Sequence, residues 1–157
     1  MERTLIILKP DAVQRGLAGK IISRFEEKGL QIAGMKMLTI SPDLAARHYA
    51  PHVGKPFYEG LVRFMTSSPV IVMALEGKGA IEVCRKMMGA TFGFKAESGT
   101  IRGDFGVSSS FNLIHGSDSA ESARTELALW FKPEELQNYE LANRGWTYDL
   151  SKGEDRP

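Results

Sequence analysis

The stretch Phe111-Asn-Leu-Ile-His-Gly-Ser-Asp-Ser119 places one histidine, His115, between a short apolar run and a cluster of small polar residues. A neutral imidazole is a competent nucleophile near physiological pH. Asp118 with Glu121 makes a capping-box pattern, and Ala123, Leu127 and Trp130 follow at helical spacing. A helix is therefore predicted over residues 119–131, stopped by Lys132-Pro133. An imidazole just ahead of a helix N-terminus, among hydroxyls, lies where an anionic phosphate is stabilised. Lys9, Arg85 and Arg102 are the cations that could join it. Arginine forks suit phosphate oxygens, and lysine supplies a point charge. Phosphoryl transfer asks a protein mainly to position a nucleophile and neutralise the equatorial oxygens. Glu126, about two turns into the helix, could help frame the site. Taken one at a time, these are an ordinary histidine and solvated cations. Only their convergence would make a site.

Other nucleotide and metal signals fail. Gly19-Lys20 has Gln14 where a phosphate loop needs its first glycine, and Ile21 where it needs a hydroxyl. Gly77-Lys-Gly79 is followed by Ala-Ile-Glu82, which breaks the dinucleotide fingerprint. His48 and His52 have metal-ligand spacing, but Pro51 interrupts the helix between them, and both read as ordinary loop residues. A net charge of +1 over 157 residues gives no basis for nucleic acid as the primary ligand or for a membrane-surface patch. No apolar stretch approaches a membrane span. Cys84 is the only cysteine, which excludes an intrachain disulfide and, with no signal-peptide pattern at the start, points to the cytoplasm.

The remaining pattern must position the histidine. Leu5–Leu8 is a continuous apolar run, read as a strand buried on both faces and ending at Lys9-Pro10. Gly16 and Gly19 frame a turn, and a helix follows with Ile21, Ile22 and Phe25 inward and Gly29 at its end. Residues 30–40 read as a second strand with a bulge at Gly34. Ser41-Pro42 starts a short helix through Tyr49, and Phe57-Tyr58 opens another. Pro69–Leu75 reads as a central strand. The next helix turns Ile81, Cys84 and Met88 inward, so Cys84 is a packing residue. Residues 89–110 lose regular patterning, and Phe111–Ile114 reads as a fourth strand. The order predicts one α+β domain over residues 1–150, a ferredoxin-like βαββαβ with a four-stranded antiparallel sheet and added helices, and a polar tail over residues 151–157. A doubly wound parallel sheet fits the same alternation.

The spacing Asn112-x-x-His115-Gly116-Ser117-x-Ser119 resembles the active-site signature of nucleoside diphosphate kinases. Lys9-Pro-Asp-Ala-Val-Gln-Arg-Gly16, His48-Tyr49, Arg85-x-x-Met-Gly89 and Gly99-Thr-Ile-Arg-Gly-Asp-Phe105 extend the likeness over nearly the whole chain. The resemblance implies the ferredoxin-like fold and a Mg2+-dependent, ping-pong transfer of the γ-phosphate of ATP, GTP or another triphosphate to any nucleoside diphosphate. It makes His115 the nucleophile. Lys9, Arg85, Thr91 and Arg102 match phosphate-holding positions, Lys9 and Asn112 match sugar-binding ones, and Phe57 matches the aromatic on which the base stacks. Tyr49, Ser117 and Glu126 match residues that position the histidine. The metal would ride on the nucleotide phosphates, with Asp118 nearby. A homohexamer is implied, with a tetramer as the alternative.

The chain departs from the family at Phe92-Gly93, where Asn-Pro is usual, at Ser98, where proline is usual, and at Ala12, usually glycine. The lost prolines raise the loop's unfolded-state freedom and bear on loop order and assembly. Two rival readings are a nucleotide-sensing module without turnover and a protein phosphodonor acting from His115.

Overall fold

The computed structural model describes residues 1–155. Strand β1 (Glu2–Leu8) is the centre of the molecule, and Leu5, Ile6, Ile7 and Leu8 are all fully buried. Each such side chain stabilises the fold by about 1.5–3 kcal/mol. This strand therefore outweighs any helix cap or surface ion pair, each worth about 1 kcal/mol or less.

With β2 (Gln31–Leu38), β3 (Val70–Gly77) and β4 (Ile114–Gly116) it makes one antiparallel sheet of order β2-β3-β1-β4. Each long crossover skips a strand that another fills, which is the ferredoxin-like pattern rather than a parallel sheet. The pleat then sorts β1. Ile6 and Leu8 pack with Ile21 and Phe25 of α2 (Ala18–Glu27) and with Cys84 and Met88 of α5 (Ala80–Met88). Leu5 and Ile7 face Ala45 of α3 (Pro42–His48), Met65 of α4 (Tyr58–Met65) and Trp130 of α7 (Ala120–Trp130). The inward residues expected on these helices are buried or partly buried.

Local signals work where one residue decides them. Ser41 caps α3 by accepting from the Leu44 N–H, with Pro42 in the first turn. Gly29, at φ 94°, ends α2 with its N–H on the Glu26 carbonyl while Leu30 reaches back to that of Phe25. The bulge expected at Gly34 is present, with the register shifting between Ile32 and Gly34. The bulged residue's carbonyl is not left open, because Gln137 donates to Ala33 at 2.7 Å. A Cβ at Gly34 would meet Leu136 at 3.0 Å, so the glycine lets the C-terminal segment lie over this edge strand.

Other expectations need correction. Pro10 does not merely end β1 but opens a one-turn helix, α1 (Pro10–Gln14), since proline is well suited to a first turn. Gly19 lies inside α2 rather than in a turn. The cap of α7 is Ser119, which accepts from the Ser122 N–H, and not Asp118. The fourth strand begins only at Ile114, so His115 is a strand residue, paired with Ile7. The stretch after α5 is not irregular throughout. It holds a 3-10 turn at Gly93–Lys95 and a short helix, α6 (Ile101–Phe105), capped by Thr100.

Residues 151–155 carry a 3-10 turn at Gly153–Asp155, with Lys78 Nζ 2.6 Å from Asp155 Oδ1, and Arg156 and Pro157 of the predicted tail lie outside the described residues. Another short helix, α8 (Arg144–Thr147), precedes them. Among the described residues no helix is long and apolar enough to cross a membrane.

The loop from α5 to β4 closes through α6. A Cβ on Gly103 would run into the backbone carbonyl of Glu97, which cannot rotate away. Gly103→Ala should lower the unfolding free energy by about 1–3 kcal/mol. The effect should be read as a reduced urea midpoint at unchanged slope; a wild-type midpoint would show that this closure yields freely.

Candidate active site

His115 reaches its position through three consecutive backbone constraints. Asn112, Leu113 and Ile114 form a tight turn in which the Ile114 N–H bonds the Asn112 carbonyl at 2.8 Å. Leu113 at its centre has φ 73°, the only described non-glycine residue at positive φ. Such a conformation persists only where the surroundings over-determine it. Here both backbone groups of Leu113 are pinned, its N–H by Asp11 Oδ2 at 3.0 Å and its carbonyl by the Lys9 N–H at 2.8 Å. The end of β1 thus clamps the turn that presents His115.

The imidazole faces α7. His115 Nε2 lies 2.6 Å from Glu126 Oε2. Burial works to raise the Glu126 carboxyl, but the His115 hydrogen bond and charge, the Ser117 hydroxyl and His48 outweigh it and hold the group below its ordinary value. The carboxylate is therefore the acceptor and Nε2 carries the hydrogen. In the neutral form of such a ring the lone pair is left on Nδ1. Ser117, fully buried, is fixed by its own N–H on the Leu5 carbonyl and by accepting from the Leu5 N–H. Tyr49 caps the end of α3, edge-on to His48. Burial, reinforced by the Glu126 charge, pushes its hydroxyl above the usual range, so it stays protonated. It reaches His115 by way of His48 and not by a direct hydrogen bond.

The cations converge from different elements. Lys9 Nζ donates to Asn112 Oδ1 at 2.7 Å, and Asn112 Nδ2 donates in turn to the Thr91 carbonyl at 2.9 Å. Burial, with the Arg102 charge, lowers the Lys9 ammonium to about 8 against an opposing pull from Asp11. Arg102 is buried and spends three donors on the carbonyls of Asn112, Gly89 and Ile114. Burial and the Arg85 charge bring it down to about 10, still cationic at neutral pH. Arg85 Nη1 donates to the Gly116 carbonyl at 3.2 Å, one residue beyond the histidine. The Thr91 side chain is exposed.

Two expected residues stand at the margins. Phe57, before α4, exposes about half its surface, with His52 edge-on at 5.3 Å and the Lys55 ammonium over its ring at 5.7 Å. Asp118 is exposed, and the Ser122 hydroxyl, with help from Ser119 and the Arg85 charge, lowers its carboxyl below the usual range. It shares with Arg85, Glu2 and Glu82 a cleft of about 440 Å³ that does not include His115.

His48 is the residue that sequence reasoning misplaced. It ends α3 rather than lying in a loop, its side chain is 3% exposed, and its ring meets that of His115 edge-on at 5.0 Å. Trp130 Nε1 donates to its Nδ1 at 3.0 Å. Burial first, then the charges of His115, His52 and Lys9, lower its pKa to about 4 in spite of Glu126, so it is neutral. The signal was available. The helix expected through Tyr49 already contained His48, and Ala45 and Tyr49 mark its inward stripe, but pairing His48 with His52 across Pro51 gave it a loop reading. Asp11 and Leu113 were legible only as parts of motifs, since nothing in a sequence marks a strained turn without glycine.

His48, His115 and Glu126 bring metal-ligand atoms within 4.8 Å of one another. The hydrogen bonds fill this cluster with protons instead. The Trp130 indole can only donate, so neutral His48 carries its hydrogen on Nε2, and His115 does likewise toward Glu126.

The sequence pattern of one family, described as nucleoside diphosphate kinase, matches residues 2–136. The chain is 56% identical to a nucleoside diphosphate kinase of Carboxydothermus hydrogenoformans over 149 residues, covering 95% of this chain and all of that one. It is 55% identical to that of Desulforamulus reducens over the same shares. Among solved structures it resembles a halophilic nucleoside diphosphate kinase from Halobacterium salinarum in complex with CDP, with a TM-score of 0.91, 47% identity, and 94% and 98% of the two chains covered. A transition-state mimic of the Borrelia burgdorferi enzyme with bound vanadate and ADP gives a TM-score of 0.87 at 39% identity, covering 90% and 94%. With the family pattern matched over residues 2–136 and relatives more than half identical over almost the entire length, the chain belongs to the nucleoside diphosphate kinase family.

Proposed function

We infer that the protein is a nucleoside diphosphate kinase that moves the γ-phosphate of a nucleoside triphosphate to a nucleoside diphosphate through a phosphohistidine on His115. The observation that carries the mechanism is the 2.6 Å bond from His115 Nε2 to the Glu126 carboxylate, which leaves Nδ1 as the nucleophilic nitrogen. In the first half-reaction the Nδ1 lone pair forms an N–P bond as the bond from the γ-phosphorus to its bridging oxygen breaks, and the diphosphate leaves. In the second, a terminal oxygen of the acceptor diphosphate attacks the same phosphorus and returns the electron pair to Nδ1. One phosphoanhydride is exchanged for another, so the balance is near zero and both halves use one site.

Lys9, Arg85 and Arg102, with the Thr91 hydroxyl, are the groups we assign to the phosphates, Lys9 and Asn112 to the sugar, and Phe57 to the base. A half-exposed ring that offers only a π-face accepts every base, which suits a broad acceptor range. Magnesium supplies neutralisation of phosphate charge when it arrives with the nucleotide. The residues fit that arrangement, since Asp118 is an ionised carboxylate at the cleft while Glu126 is committed to His115. Asp118, whose carboxylate lies near Arg85, is the side chain we assign to the neighbourhood of that ion. We assign the assembly to a homohexamer, with a tetramer as the alternative; the exposed Phe92 and Phe94 of the loop before β4 support association. We assign the protein to the cytoplasm, supported by its single cysteine, buried Cys84.

Purified protein incubated with γ-labelled ATP and magnesium should carry acid-labile label that moves to added GDP or CDP. His115→Ala should carry none. Nucleotide binding without any labelling would replace the enzyme with a sensing module, and label that passes to proteins but resists free diphosphates would favour the phosphodonor reading.

Lys9 yields a pH dependence with a defined sign. A lysine lowered to about 8 is charged below that pH and neutral above it. The free enzyme's kcat/KM should therefore decline as pH rises through about 8. A profile flat to about pH 9.5, as an ordinary lysine near 10.4 would give, removes Lys9 from the phosphate-binding set.

A further inference from the structure

His48 is not used by the mechanism above, yet it is held more tightly than a core histidine needs. The Trp130 indole occupies its Nδ1 at 3.0 Å, and a neutral ring so bonded presents Nε2–H on its other side. That nitrogen is 3.7 Å from Glu126 Oε2, the oxygen His115 holds, and so stands just outside hydrogen-bond distance of the carboxylate. Glu126 has spare capacity, since its Oε1 is buried and lacks a hydrogen-bond partner of good geometry among the described residues, although the Ser117 hydroxyl is near enough to lower the carboxyl. A carboxylate with one oxygen on His115 and the other without a well-placed partner can turn toward a neighbouring donor, because a buried acceptor left unpaired costs free energy. His48 Nε2–H is such a donor, and the edge-on contact of the two imidazoles also limits rotation of the His115 ring.

We propose that His48 is a positioning residue for the phosphoryl-transfer step, its Nε2–H set by Trp130 and directed at Glu126 so that His115 is kept in the tautomer with Nδ1 free. This rests on the reading of His115 as the nucleophile. A ring that spends time as the Nδ1–H tautomer cannot attack during that time, so loss of the relay lowers the rate of the chemical step and leaves nucleotide binding unchanged. The chain of donors runs one way, from Trp130 to His48 to Glu126, with His115 donating into the same carboxylate.

Two amide variants separate this role from simple packing. The side-chain oxygen of His48→Asn can replace Nδ1 and accept from Trp130, but it offers nothing near Glu126. The amide of His48→Gln reaches the position of Nε2 and can donate to Glu126. Rapid-quench labelling with ATP should show His48→Asn slower by about tenfold or more at unchanged KM, and His48→Gln within about threefold of wild type. Nitrogen-15 spectra of the unphosphorylated protein should show His48 and His115 both with hydrogen on Nε2 in wild type. His115 should become a tautomer mixture in His48→Asn.

A packing role predicts the reverse order, with Asn tolerated because it satisfies Trp130. Wild-type labelling and an unchanged His115 tautomer in His48→Asn, or a Gln variant no faster than the Asn variant, would overturn the proposal while leaving the nucleophile in place. No phosphohistidine in wild type would instead remove the nucleophile reading, and the tautomer spectra would still report whether His48 governs His115.

Discussion

The hydrogen bond between His115 and Glu126 decides which face of one imidazole is chemically available, and the fold is arranged to deliver its two ends. The histidine rides on β4 and the glutamate on α7, elements joined only by Ser117, Asp118 and Ser119. Their relative placement is set by β1. It pairs with β4 on its backbone edge and meets Trp130 of α7 through the side chains of one face. Because the pleat alternates, a one-residue slip of β4 would send His115 into the opposite layer, against Met88 and Cys84, and away from Glu126. The residues of β4 oppose that slip, since Ile114 would leave the layer it shares with Ile6 and Leu8, and a side chain moved into the place of Gly116 would run into Met88.

Charge at the site is handled by carbonyls more than by counter-ions. Arg102 meets three main-chain oxygens and Arg85 one. A buried guanidinium paired with a carboxylate would be neutralised before any phosphate arrived. Carbonyl partners satisfy its donors and hold the group in place while keeping its full charge. Arg102 thereby joins the end of α5 to both sides of the Leu113 turn. Its removal would free three carbonyls in a water-poor region as well as a cation.

How much of this was legible beforehand follows from how local each cause is. Ser41-Pro42, Gly29 and the phase slip at Gly34 act within a few residues, and each marked its feature correctly. The four apolar runs marked the strands, but the edge of β4 did not follow from pattern, because Phe111 and Leu113 alternate as in a strand and are still outside the ladder. Asp118 looked like the better cap, yet the chain caps with Ser119, and the Asp118 carboxylate instead draws on the Ser122 hydroxyl. The site itself was legible only by likeness. Lys9 and Asn112 are 103 positions apart and touch, and no periodicity predicts that. For His48 the inward stripe marked its burial, but its partners, Trp130 and His115, lie as far off in the chain and gave no sign of its role.

The unusual loop residues can be weighed by the same distinction between local and distant causes. Proline at 93 or 98 would restrain the unfolded chain, and the present Gly93 and Ser98 forgo that benefit. In exchange, Gly93 is buried with the backbone of Gly106 passing where a side chain would begin, a contact that any Cβ would block. The loop is further tied by Thr100 capping α6, by Asp104 accepting from the Gly99 N–H at 2.8 Å, and by Arg24 reaching Asp104 from α2. Lys95 lies over the rings of both Phe92 and Phe94. Besides Arg102 and the Thr91 hydroxyl, the loop contributes main-chain oxygen to the candidate site, from Thr91 to Asn112 and from Gly89 to Arg102. Neither contact depends on the side chains at 92, 93 or 98. The site can therefore keep its geometry while positions 92 and 98 vary, whereas position 93 is held to glycine by the Gly106 backbone.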